Sequence, residues 1–108
     1  MPLSREFKEL VVARAKKDPE FRRELIVEAV NMILAGEITP GRLMLRDYIN
    51  ATGAMADICK TLHKHKSAIA RMLGPSANPT LESIVPVIRA CADREKVNLA
   101  VCVDGCSA

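Results

Sequence analysis

Tryptophan is missing from this chain of 108 residues, and the other aromatics come to one Tyr and two Phe. A core without aromatic bulk has to be filled by aliphatic side chains and by the five Met, a mix that suits small helical bundles better than β-sandwiches. No run approaches the roughly 18 consecutive apolar residues of a membrane span, and the first residues pass straight into charged sequence without a signal-peptide pattern. Both absences predict a cytoplasmic protein with no membrane partner, whose four Cys are reduced thiols rather than a disulfide framework. There is also no glycine-rich phosphate loop and no nucleophile motif, and the carboxylates are spread along amphipathic segments, so the expectation is a non-enzyme without a cofactor. What is present is ordinary in bulk: 49% hydrophobic and 27% charged residues, at a length that fits one domain.

A net charge of +3, from 16 Lys and Arg against 13 Asp and Glu, is too small to identify an anionic partner by itself. Its distribution is more informative. Residues 1–30 carry seven basic and six acidic side chains, residues 31–57 two and three, and residues 82–108 three and four. Residues 58–81 carry four basic side chains and no acidic one.

Helical periodicity runs through most of the chain. Ser4 is placed to cap a helix over 5–17, where Phe7, Leu10, Val11 and Ala15 recur at helical spacing. Asp18-Pro19 opens a second, with Phe21, Leu25, Ile26, Ala29, Ile33 and Leu34 as its apolar stripe and Gly36 as its stop. Thr39-Pro40 repeats the cap-plus-proline signal and predicts a third helix through Leu43, Leu45, Ile49 and Ala51 up to Gly53. Two short helices follow, over about 54–62 and 66–73, then a turn-rich stretch around Asn78-Pro79-Thr80 and a last helix over about 81–92. Pro86 predicts a kink there or a later start. Residues 97–103 alternate and are β-prone, which predicts one strand in need of a partner. The expected fold is therefore all-α, a bundle of five to six helices with a C-terminal strand, divided into N-terminal helices over 1–35 and a core over 39–92.

Two helices joined by a three-residue turn, inside a basic window without acids, form the pattern of a helix-turn-helix that lays its second helix in the DNA major groove. Ile58, Leu62, Ile69 and Met72 take the apolar positions of such a motif and Cys59 the small one where the helices cross. Two positions depart from it. The turn position that usually takes Gly, for a positive φ, holds His63, and the next, usually apolar, holds Lys64.

The strings Leu45-Arg46-Asp47-Tyr48-Ile49-Asn50-Ala51-Thr52, Arg71-Met72-Leu73-Gly74-Pro75 and Asn78-Pro79-Thr80 resemble the signature of the antidote (antitoxin) proteins of bacterial and prophage addiction modules. Those proteins carry a repressor-like helix-turn-helix of the xenobiotic-response-element type. Phe7-Lys8-Glu9 and Asp18-Pro19-Glu20-Phe21-Arg22 extend the similarity, which covers about residues 3–92, while His63, Lys64 and Pro86 depart from it. The resemblance implies a five-helix repressor-like fold, binding of double-stranded DNA near its own operon, and a partner toxin of the ribonuclease-like kind. A recognition helix of about eight residues touches too few bases by itself, which predicts a homodimer on an inverted-repeat operator. A stand-alone prophage-type regulator without a toxin is the alternative within the same class.

On this reading Lys66, Ser67, Ala70 and Arg71 fall on the outward face of the recognition helix. The Arg71 fork can bond a guanine bidentately, Lys66 can meet a base or a phosphate, and Ser67 offers an adaptable hydroxyl. Lys60 and Lys64 suit phosphate contacts, His65 is counted among the DNA-contacting residues, and Asn78 and Thr80 sit at a helix start, where side chains and free amides suit a phosphate oxygen. The competing reading for Arg71 is an ion pair with Asp57. A rival class, a metal- or redox-sensing regulator, rests on Cys59 and His63, which are four apart on one helix face, and on His65. Against it, Cys59 fills a core position, Cys91 falls on an apolar face, and Cys102 and Cys106 have no His beside them, so no metal ligand is assigned.

Overall fold

Short polar and glycine breaks divide the chain, and the computed structural model, which describes residues 5–103, places helices between them. They are α1 (Arg5–Lys17), α2 (Pro19–Leu34), α3 (Ile38–Thr52), α4 (Met55–Leu62), α5 (Lys66–Met72) and α6 (Leu81–Arg94). The fold is all-α, as composition and periodicity predict, and no helix among the described residues is long and apolar enough to cross a membrane. Ser4, the expected cap of α1, lies outside the described residues.

Local chemistry explains most boundaries. The Asp18 carboxylate accepts a hydrogen bond from the Phe21 amide at 3.2 Å and Pro19 takes the first helical position, so α2 starts where its cap stands. Beyond its end Gly36 takes φ +93°, which lets the Glu37 amide reach back to Met32 O at 2.9 Å. Thr39-Pro40 does not open α3. The helix begins at Ile38 behind Glu37, so Pro40 sits in the first turn, where its missing N–H has no acceptor to lose. α6 likewise starts at Leu81 and runs through Pro86 to Arg94. The proline removes the donor to the Glu82 carbonyl, and because Glu82 is exposed, water can take that donor's place.

The expected strand is absent. Residues 97–103 are irregular, no strand exists among the described residues to pair with them, and Leu99 packs on the core while Val101 stays 81% exposed. The expected stripe of α1 is also only partly used. Val11 and Ala15 turn inward, but Phe7 and Leu10 stay exposed on the side of α1 turned away from its main packing against α2 and α3. Leu34 and Val85 are exposed as well.

α2 and α3 make the most extensive packing of the bundle. They approach at Gly41, where a Cβ would come within 2.8 Å of the Ala29 carbonyl oxygen. Ile26, Leu45, Tyr48 and Ile49 from these helices join Ile58, Ile69, Leu73, Val87 and Cys91 from α4 to α6 in one buried cluster. A fully buried side chain of this size contributes about 1.5–3 kcal/mol.

Two polar groups lie inside this apolar frame. Arg42 is 3% exposed, and its Nη1 donates to Met72 O at 2.9 Å and Gly74 O at 2.6 Å, its Nη2 to Ala77 O at 2.9 Å and Thr39 Oγ1 at 3.3 Å. Glu95, just past α6, is 7% exposed; it accepts from Arg22 Nε at 3.0 Å and from the Tyr48 hydroxyl at 2.6 Å. Arg22 Nη1 also donates to Ala15 O at 2.8 Å, so this network ties α1, α2, α3 and the end of α6.

Arg42→Ala should lower stability by about 3–5 kcal/mol, because it strands buried carbonyls, and Arg42→Lys should restore little of it since one ammonium cannot fork across the three carbonyls of Met72, Gly74 and Ala77; urea unfolding measures both. A second expectation concerns alkaline pH. Burial pushes the Cys91 thiol up to about 12, and burial together with the bond to Glu95 pushes the Tyr48 phenol well above its ordinary value. Both groups hold their protons more tightly folded than unfolded, so the stability they contribute is complete below about pH 9 and declines as pH rises from there through 12. Tyr48→Phe should flatten part of that decline and cost roughly 1.5–3 kcal/mol at neutral pH; a thermal melt series from pH 7 to 11 reads both effects.

Candidate nucleic-acid interface

α4 and α5 are short helices held by their inner faces. Ile58, Ile69 and Leu73 are buried, and Cys59, Leu62 and Met72 pack half-buried on the same cluster, so the predicted inward positions all turn inward. Between the helices lie His63, Lys64 and His65. His63 takes φ 54°, ψ 43°, the left-handed conformation for which the sequence pattern calls for Gly, and both its amide and that of Lys64 return to Cys59 O. Lys64 is exposed rather than inserted. His65 is extended and caps α5, its Nδ1 accepting from the Ser67 amide at 3.2 Å.

The outer side of this pair is cationic. Lys60, Lys64, His65, Lys66, Ser67, Ala70 and Arg71 are all exposed, and on α5 Ser67, Ala70 and Arg71 form one stripe opposite Ile69 and Leu73. Among the described residues no ion pair engages Lys60, Lys64, Lys66 or Arg71. Asp57, the expected competitor for Arg71, pairs instead with Arg94 at 3.3 Å. The small Ala70 between Ser67 and Arg71 lets this stripe approach a flat surface closely.

Asn78 and Thr80 are exposed but stand apart from the stripe, on the connection into α6. Thr80 is the N-cap residue, and its hydroxyl bonds Ser83 Oγ at 3.1 Å instead of a backbone amide. The first amides of α6 are thus not capped by that side chain, with Glu82 in the same turn opposing an anion. The residue that links this connection to α5 is one that sequence reasoning missed. Arg42 grips Met72 O at the end of α5 together with Gly74 O and Ala77 O, and so sets the path from the helix to Asn78. A signal existed, since Arg42 is in phase with Leu45 and Ile49 on the buried face of α3.

The metal-sensor constellation does not assemble. No group of three or more His, Cys, Asp or Glu among the described residues could hold a metal ion, Cys59 packs against the core and His63 is exposed. Cys91 is buried, Cys102 is exposed and Cys106 lies outside the described residues. Comparison of the chain with known protein families, curated proteins and solved structures finds no match.

The turn geometry sets an expectation that needs no ligand. His63→Gly should leave stability unchanged or raise it by up to about 1 kcal/mol, as relief of the left-handed backbone offsets added unfolded-state freedom. His63→Val should lower it by roughly 1–3 kcal/mol, because a branched Cβ fits that conformation worst. Thermal denaturation of the pair checks the order Gly above His above Val.

Proposed function

We propose that this protein binds double-stranded DNA in a sequence-specific way through α4 and α5, with α5 entering the major groove. The observation that carries the reading is the cationic outer side just described: Lys60, Lys64, Lys66 and Arg71 lie in a window, 58–81, that holds no acidic residue, all four are exposed, and among the described residues none has a carboxylate partner, the one acid of the helix pair, Asp57, being held by Arg94. Charges left unpaired on a rigid face keep their full attraction for phosphate, and a helix held by its inner side can present its outer side to base edges. Arg71 is the guanine reader with Ser67 one turn before it, Lys66 at the start of α5 meets a base or a phosphate, and Lys60, Lys64, Asn78 and Thr80 contact the DNA backbone. The role is non-catalytic and cytoplasmic. Within it, the resemblance favours an antitoxin that represses its own operon beside a ribonuclease-like toxin.

One helix of seven residues reads few bases, so the unit on DNA is a two-fold dimer with half-sites about 10 base pairs, or roughly 34 Å, apart. The surface for the second copy is the outer stripe of α6. Ile84 and Val87 are buried and unavailable, whereas Leu81 is 73% exposed, with Val85 exposed one turn on. Glu82 and Arg89 flank Val85 on that stripe, so an antiparallel α6 pair centred there sets each Glu82 opposite an Arg89. The Arg89–Asp93 pair at 3.7 Å is exposed and gives little resistance to that exchange.

Selection from a random duplex library followed by footprinting tests the reading; it expects an inverted repeat. Lys64→Ala should reduce the slope of log affinity against log salt by about 0.9 and weaken all sequences alike. Arg71→Ala should cost roughly 1–3 kcal/mol on the selected site and little on random DNA. A library that returns no enriched sequence, or affinity independent of salt, would overturn the proposal.

A further inference from the structure

The His65 ring makes two contacts through one atom. Nδ1 accepts a hydrogen bond from the Ser67 amide at 3.2 Å and lies 2.9 Å from Ser67 Oγ. An imidazole nitrogen that accepts from a backbone N–H carries no proton, so the neutral ring holds its proton on Nε2. Toward such an Nδ1 the Ser67 hydroxyl can only donate, and this uses its single proton.

We infer that His65 and Ser67 act as one base-reading unit, within the DNA-binding role proposed above. A free serine hydroxyl can donate or accept and so discriminates bases poorly. With its proton committed to His65, Ser67 Oγ presents lone pairs alone. It selects an exocyclic amino group, adenine N6 or cytosine N4, and disfavours guanine O6 and thymine O4, which would meet it acceptor to acceptor. His65 Nε2–H supplies a donor beside it for a phosphate or a base acceptor. His65 is thus a positioning residue for Ser67 as well as the cap of α5.

Two measurements test this. Long-range proton–nitrogen NMR of the free protein, with His65 assigned through the His65→Asn variant, should show the Nε2–H tautomer; the Nδ1–H tautomer would overturn the inference without any reference to DNA. Duplex selection should then show a preference for an amino-bearing base at one position per half-site for the wild type. His65→Ala, which frees the hydroxyl, and Ser67→Ala should each reduce that preference about fivefold or more, the worth of one hydrogen bond. His65→Asn, whose Oδ1 can accept from the same two donors, should keep it, and this variant decides the matter if His65→Ala proves unfolded. Identical base profiles for wild type, His65→Ala and Ser67→Ala would overturn the unit while leaving DNA binding intact, whereas a wild type that enriches nothing would overturn both.

Discussion

Arg42 carries a positive charge into the interior, and the chain meets it with backbone carbonyls instead of a carboxylate. Removing a guanidinium from water is expensive, and it is tolerated only where several acceptors converge on it. Met72 O and Gly74 O lie at the end of α5, where the helix dipole is negative, so part of the compensation comes from the aligned peptides of that helix. The same bonds order a connection with few apolar anchors of its own. The end of α5 and the path from Gly74 to Ala77 are thus fastened to one side chain of α3.

A second polar tie closes the opposite part of the molecule. Glu95 would be costly where it is, 7% exposed, were it not met by Arg22 and by the Tyr48 hydroxyl. Through this cluster the N-terminal helices are locked to the end of α6, and the apolar cluster lies among elements held at both ends. Buried polar groups of this kind add less stability than apolar contacts of equal volume would, but they admit few alternative packings, which suits a bundle whose aliphatic side chains could otherwise slide.

This rigidity serves the outer face of α4 and α5. A surface that reads base edges must present side chains in fixed register, and α5 is too short to hold its own shape in water. It is held by Ile69 and Leu73 below, by the Arg42 fork at its end and by the His65 cap at its start. Among the described residues the cations of this face have no carboxylate partner, while elsewhere Arg14, Arg22, Arg89 and Arg94 are paired with carboxylates. The charge pattern of the sequence thus becomes a property of one face.

Much of this was legible in the order of the residues. The helix breaks at Asp18-Pro19, Gly36 and Gly53, the inward positions of α4 and α5, the positive φ at residue 63 and the acid-free window are local facts, because capping, turn conformation and amphipathic spacing depend on neighbours within a few residues. What tertiary structure decided depends on residues far apart. Arg42 meets acceptors 30 to 35 positions away, and Arg22 meets Glu95 at 73 positions. Residues 97–103 had the alternation of a strand but no partner strand among the described residues, and Phe7 and Leu10 had the spacing of a core face but stay exposed. Asp57 could have served Arg71 or Arg94, and packing of α4 on α6 gave it to Arg94, so that Arg71 has no ion pair among the described residues. Periodicity reveals which side of an element is apolar; only the assembled chain determines what covers that side and which charges remain to face a partner.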